Sequence, residues 1–199
     1  MITSTANAQV KELIRLMKKS RAREDAGVFI VEGPRMAGEL TDDPAWQERI
    51  ERVYLSESYA AKHTGEADDL RRTGRVEILA DNVFDHVSDT KTPQGILAVV
   101  KRKEYDLEDI LGGQQGNSLV IVLDNLQDPG NLGTIFRTAE AAGATGILLS
   151  RDCVDIYNPK VIRSTMGAVF RLPFLYVDDL PGALSELNET GIRDFDPHM

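Results

Sequence analysis

Cysteine is almost missing from this chain of 199 residues: the single thiol, Cys153, has no partner for an internal disulfide, which points to a reducing compartment. Long apolar runs are missing as well. No stretch approaches the roughly 18 to 20 residues of a membrane span. The opening "MITSTANAQVKELIRLMKKSRAR" lacks the continuous apolar centre of a signal peptide, so a cytoplasmic protein with no membrane contact is expected. His63, His86 and His198 are scattered and, with Cys153, show no ligand spacing, so no metal is expected. Neither G-x-G-x-x-G nor the Walker A pattern occurs, which weakens a nicotinamide or nucleoside triphosphate reading. Basic charge is also in short supply. The net charge of -9 argues against nucleic acid, because phosphate binding usually leaves a basic footprint.

One local exception stands against that average. Between Met1 and Asp25 lie Lys11, Arg15, Lys18, Lys19, Arg21 and Arg23, against Glu12, Glu24 and Asp25, a local balance of +3. Val10, Leu13, Ile14 and Met17 recur at helical spacing in the same segment, giving an amphipathic helix with its basic residues outside the apolar stripe. On composition alone that is a solvated helix face.

Strand-like and helix-like segments then alternate: "GVFIVEG" as a strand, "GPRMAGEL" as a helix, "IERVYLS" and "RVEILA" as strands, "NVFDHVSD" as a short helix and "GILAVVKR" as a fourth strand. The pattern weakens between Lys103 and Asn117 and ends in "GGQQGN", which sets a domain boundary. The expected division is 1–108, a linker at 109–117, and 118–199. In the second part "SLVIVLD", "GTIFRTAEAAG" and "ATGILLS" have the length and order of one βαβ unit, so a parallel sheet follows. "KVIRSTM" is a helix started by Asn158 and Pro159 and ended by Gly167. "LPFLYV" is the third strand, and "DDLPGALSELNETG" is a final helix capped by Asp178 or Asp179. Only "IRDFDPHM" follows, so this sheet is expected to leave an exposed edge.

The turn between the first two of those strands, "DNLQDPGNLG", is crowded with Asp, Asn, Pro and Gly. Pro129 and Gly130 suit the centre of a type II turn. A loop at the carboxyl end of a parallel strand that feeds a helix N-terminus is where open α/β sheets bind ligands. Arg137, six residues after Asn131, could reach back to an anion there. The same residues also read as structure alone, with Asn131 capping the helix and Arg137 paired with a carboxylate. Trp46, Phe29, Phe170 and Phe174 read as packing residues.

"LDNLQDPGNLGTIFRTAEAAGATGILLS" resembles the first motif of the SpoU/TrmH family of RNA ribose 2'-O-methyltransferases, and "NPKVIRSTMGAVFRLPF" resembles the second. "VKELIRLMKKSRAREDAGVFIVEGPRM" is similar to the small substrate-binding domain that precedes the catalytic domain in many members. The resemblance implies an α/β chain: a small N-terminal RNA-binding domain, then a parallel-sheet catalytic domain of the SPOUT class, whose C-terminal segment threads a trefoil knot that forms the S-adenosylmethionine site. It implies a homodimer acting on RNA, ribosomal more than transfer RNA. Asn131 and Arg137 then match the family's catalytic pair, and Ser164, Met166 and Gly167 fall where the cofactor is held. Arg163 joins Lys11, Arg15, Lys18, Lys19, Arg21 and Arg23 as the RNA-facing set. The family's third motif, a Gly-Asn-Glu-Gly run followed by a Ser-Leu-Asn-Val segment, is not found, so the catalytic domain is expected to be truncated and the knot incomplete. The alternatives are a non-catalytic RNA-binding relative or fragment, and an unrelated small-molecule α/β enzyme.

Overall fold

The computed structural model describes residues 1–72, 75–112, 118–189 and 191. The stretch 113–117, within the expected linker, and the terminal "IRDFDPHM", with His198, lie outside the described residues. Asn7 opens the fold: its side chain accepts the Gln9 N–H at 2.8 Å and starts α1 (Ala8–Lys18). Val10, Leu13, Leu16 and Met17 are buried from this helix, while Lys11, Arg15 and Lys18 face outward. After α2 (Ser20–Ala26) come β1 (Val28–Glu32), α3 (Pro34–Asp42), α4 (Pro44–Gln47), β2 (Ile50–Ser56), α5 (Glu57–Lys62), α6 (Thr64–Arg72), β3 (Val76–Leu79), α7 (Asp81–Val87) and β4 (Ile96–Lys101). These strands form a mixed sheet in the order β1-β4-β2-β3, with β4 antiparallel to β1 and β2, and β2 parallel to β3.

The sheet is covered on both faces, which is why its strands read as unbroken apolar runs. In β1, Val28 and Ile30 pack with Leu13 of α1 and Phe84 of α7, whereas Phe29 and Val31 point into the opposite core with Trp46. In β4, Leu97 and Val99 go to the first of these cores and Ile96, Ala98 and Val100 to the second.

The second sheet follows α8 (Leu107–Ile110) and contains β5 (Val120–Leu123), α9 (Pro129–Ala141), β6 (Gly146–Ser150), α10 (Pro159–Thr165), α11 (Ala168–Arg171), β7 (Phe174–Val177) and α12 (Leu180–Glu189). Its strands are parallel in the order β5-β6-β7. Among the described residues β5 pairs on one side only, and Leu119 and Val122 beside that edge are exposed. The stretch that reads as patternless in sequence contains α8, closed by a capping box between Asp106 and Asp109. Ile110 of α8 is fully buried with Leu148 of β6 and Leu187 of α12, so the cover of the second sheet already begins there.

One apolar core joins the two sheets. Phe29 lies 4.9 Å from Tyr157 and 6.1 Å from Trp46, Trp46 lies 5.2 Å from Phe170, and Tyr157 lies 5.7 Å from Phe174 (ring centroids). Each buried ring contributes roughly 1.5–3 kcal/mol through the surface it hides. The indole N–H of Trp46 donates to the Phe170 carbonyl at 2.8 Å, so its one polar atom is satisfied inside that core. Arg23, buried, and Asp155, half-buried, add an ion pair at 2.5 Å across the same boundary.

Candidate functional site

The loop after β5 is held by the end of β6. Asn125, left-handed at φ 50°, donates its N–H to Ser150 Oγ at 2.9 Å. Leu126 donates to Cys153 Sγ at 3.3 Å, and Cys153 Sγ in turn donates to the Leu123 carbonyl at 3.4 Å. Cys153 therefore ties both ends of the loop together, a role no motif in the sequence announces. Asp128 then caps α9, accepting the Asn131 N–H at 2.7 Å, and Pro129 takes the first helical position. The expected type II turn at Pro129 and Gly130 is thus not formed. With Asp128 able to cap, these two residues serve as the first turn of the helix, and Gly130 does not take a positive φ.

Because α9 begins at Pro129, Arg137 sits just over two turns into it, about 9 Å along the axis from Asn131. Both residues are exposed, and among the described residues neither side chain has a hydrogen-bond or ion-pair partner. The carboxylate expected as a structural partner for Arg137 is therefore not engaged with it. The nearest candidate on the helix, Glu140, is taken by Arg171, which donates from Nε to its Oε1 and from Nη2 to its Oε2 at 3.3 Å. Arg171 also donates from Nη1 to Glu39 of α3. Arg171 lies inside the quoted second motif, yet only the fold reveals its partners. Two carboxylates on one guanidinium raise the Arg171 pKa further above its ordinary value, chiefly through the Glu140 hydrogen bond.

Helix α10 lies directly on α9. A Cβ built on Gly133 would fall 1.8 Å from Ser164 Oγ, so only glycine allows this approach. Ser164 Oγ lies 2.9 Å from the Val161 carbonyl and 3.3 Å from the Pro129 carbonyl, sharing its one proton between them. Helix α10 is ended by Met166, left-handed at φ 52°, where the sequence points to Gly167; Gly167 follows at φ 96° and precedes α11. A Cβ on Gly167 would lie 2.0 Å from Glu39 Oε2.

Of the three residues expected at the cofactor, Ser164 and Gly167 are thus spent on helix contacts, and Met166 alone presents an exposed side chain. What these residues could offer a nucleoside with a sulfonium tail is the side chain of Met166 and the backbone of the turn between α10 and α11. Arg163 is half-buried, with Nη1 3.5 Å from Glu32 and Nη2 3.1 Å from Asp89. It lines a cleft of about 520 Å³ with Glu32, Gly33, Thr90, Thr92, Pro93 and Gln94.

The basic set of the N-terminus is divided by the fold. Lys11, Lys18, Lys19 and Arg21 are exposed and without ion-pair partners among the described residues. Arg15 is paired with Glu12 at 2.8 Å, which lowers the Glu12 pKa through that hydrogen bond. The expected phosphate contact at Arg23 is corrected: its side chain is buried, and it donates to Asp155 and, at 2.8 Å, to the Leu16 carbonyl. Sequence spacing put Arg23 on the basic face; the return of α2 against α1, with Asp155 of the loop after β6 closing over it, puts it inside. Among the described residues no cluster of three or more His, Cys, Asp and Glu is gathered for a metal ion.

Comparison with known proteins bears on both sheets. Residues 118–196 match the SpoU rRNA Methylase family and residues 7–98 match an MRM3-like substrate binding domain. The chain is 31% identical over 192 residues to the 23S rRNA (guanosine(2553)-2'-O)-methyltransferase RlmP of Bacillus subtilis, covering 96% of this chain and 71% of that protein. It is 33% identical over 169 residues to the mitochondrial rRNA methyltransferase 3 of Xenopus laevis, covering 84% of this chain. The chain spans less than half of that vertebrate relative, 39% of its length. Among solved structures, the AdoMet-bound SpoU methyltransferase AviRb of Streptomyces viridochromogenes superposes with a TM-score of 0.76 at 27% identity, covering 93% of this chain and 68% of that one. An rRNA methyltransferase of Sinorhizobium meliloti gives 0.77 at 27% identity, covering 94% of this chain and 68% of that one. Similar along both sheets, and to one relative over 96% of this chain, the chain belongs to the SpoU rRNA methylase family.

Proposed function

We propose that the protein transfers a methyl group from S-adenosylmethionine to a ribose 2'-hydroxyl of ribosomal RNA. The observation that carries this reading is the pair Asn131 and Arg137 on α9: exposed, without partners among the described residues, and following a strand-end loop fixed by Ser150 and Cys153. When bound, S-adenosylmethionine supplies an electrophilic sulfonium methyl group. The 2'-hydroxyl is a poor nucleophile, so the protein must orient it and favour loss of its proton. Arg137, a guanidinium, is no general base. Its guanidinium clamps an RNA phosphate and stabilises the alkoxide that develops, while the hydroxyl proton passes to a phosphate oxygen or another group and on to water. The Asn131 amide, with both donor and acceptor atoms, orients the ribose.

Lys11, Lys18, Lys19 and Arg21 on the first domain hold the RNA through phosphates and carry no sequence information themselves. Arg163, beside its cleft, belongs to the same RNA-facing surface. Met166 forms one wall of the cofactor site. Ribosomal RNA is favoured over transfer RNA because the relatives named above are rRNA methyltransferases. A homodimer rests on the family resemblance, and a cytoplasmic location on the lone cysteine.

The commitment of Ser164 and Gly167 to packing favours one other reading, an RNA-binding chain without a donor site. The test is Arg137→Ala in the full natural chain. We expect turnover on rRNA to fall about 100- to 1000-fold, as for loss of one group that stabilises developing negative charge, with S-adenosylmethionine affinity unchanged. Unaltered turnover removes Arg137 from the reaction, and RNA binding with no methyl transfer by the unsubstituted protein leaves the binding-only reading.

A further inference from the structure

Helix α9 carries, beside Arg137, a carboxylate placed to disable it. Glu140 lies three residues further on, a spacing at which Arg and Glu side chains on one helix meet and pair. Arg137 nevertheless has no partner among the described residues, because Glu140 is bound from the other side. Arg171, at the end of α11, grips both of its oxygens in a fork, and Nη1 of the same guanidinium is donated to Glu39 of α3.

The bond to Glu39 needs α11 and α3 to lie close together. Gly167 permits this, since a Cβ there would overlap the Glu39 carboxylate. Glu39 is half-buried and anchors the far side of the guanidinium, so Arg171 is aimed at Glu140 from a fixed position on the first domain. A lysine could not do the same, because a single ammonium lacks the planar fork that engages both Glu140 oxygens and Glu39 together.

We propose that Arg171 is a positioning residue that holds Glu140 away from Arg137 and so keeps the Arg137 guanidinium free for RNA. This rests on the reading of Arg137 as the group that meets RNA. It adds a requirement of its own: Arg171 must stay bound to Glu140, outside the reacting groups.

The test follows the Nε–H signal of Arg137 by NMR in the full natural chain carrying isotope-labelled arginine, with no RNA or donor present. In Arg171→Met the signal should shift and its exchange with water should slow, as Glu140 captures Arg137. The free fraction should drop about two- to threefold, the effect of an ordinary pair at this spacing, and turnover on an rRNA transcript should drop by the same factor. Adding Glu140→Gln to Arg171→Met should restore both. Glu39→Gln, which leaves the fork on Glu140, should leave the Arg137 signal in place.

An unmoved signal in Arg171→Met, or no reversal by Glu140→Gln, overturns the proposal. Should Arg171→Met fail to fold, Glu140→Gln alone decides. An unchanged Arg137 signal then supports the proposal, and a shifted one shows that Glu140 already touches Arg137 and overturns it. Because the signal is read without substrate, absence of methyl transfer by the unsubstituted protein counts against the proposed reaction and not against this pairing.

Discussion

Gly133→Ala should be the most informative single-methyl change in the molecule. The added Cβ would stand 1.8 Å from Ser164 Oγ, 2.5 Å from Ser164 Cβ and 2.8 Å from the Ser164 carbonyl carbon. Carbon atoms in ordinary contact are about 3.5–4.0 Å apart, so α10 must retreat from α9 by about 1 Å. Rotating the serine relieves only the first of the three contacts. Three contacts under 3.0 Å, one of them to backbone, put the overpacking cost in the upper part of the usual range, about 2–3 kcal/mol, and the better helix propensity of alanine returns up to about 1 kcal/mol. The net loss should be about 1–2 kcal/mol, or about 2–8 °C in Tm for a chain of this size.

Urea unfolding and thermal melting both read the change. Ser164→Gly provides the partner variant, since it removes the Oγ and Cβ contacts and leaves the one to backbone. The cost of Gly133→Ala should therefore shrink, without vanishing, in the Ser164→Gly background. Gly65→Ala on α6 is the control: its Cβ meets nothing within 4 Å, so stability should be unchanged or higher. A Gly133→Ala protein as stable as its parent, or one whose loss is the same with Ser164→Gly, would refute the close packing of α9 on α10.

Asp155→Ala should cost about 3 kcal/mol, because it strands the Arg23 guanidinium inside the protein; a loss within error in urea unfolding contradicts that. Trp46→Phe keeps an aromatic ring but leaves the buried Phe170 carbonyl without its donor, a cost of about 1–3 kcal/mol by the same assay. Changing Lys11, Lys18, Lys19 and Arg21 together to Gln should reduce the salt dependence of rRNA binding by about 3 in the log–log slope, at roughly 0.7 per phosphate contact. An unchanged slope returns that face to a merely solvated one. The Ser58 N–H held by the Asp81 carboxylate at 3.0 Å keeps the Asp81 pKa below its ordinary value. Its stabilising contribution is therefore full above the ordinary aspartate range and fades as pH falls through the lowered folded value; an NMR titration midpoint at or above the ordinary value contradicts it.

Much of this fold could be read from local pattern. The runs around Val28, Ile50, Ile96, Val120, Gly146 and Phe174 are strands where β-branched and aromatic residues cluster, and the α1 stripe is inward as its spacing requires. What local pattern could not supply was which groups meet across the chain. Arg23 reads as one more exposed cation until Asp155, far away in sequence, buries it. Ser164 and Gly167 lie where family resemblance puts the cofactor, but their neighbours Gly133 and Glu39 come from α9 and α3. Pro129 and Gly130 read as a turn because proline and glycine serve both turns and helix starts. The choice fell to Asp128, whose carboxylate captures the Asn131 N–H. That Arg137 lies on a helix could be read from the pattern, while the engagement of Glu140 by Arg171 could not.

The most direct test of the account is a map of ribose methylation on ribosomal RNA from cells with and without the gene, read by resistance of the RNA backbone to alkaline cleavage. A 2'-O-methyl group blocks cleavage at its own nucleotide. The account predicts a resistant nucleotide that disappears on deletion, returns with the natural protein and does not return with Arg137→Ala. Identical cleavage patterns in all strains, or full restoration by Arg137→Ala, would contradict it.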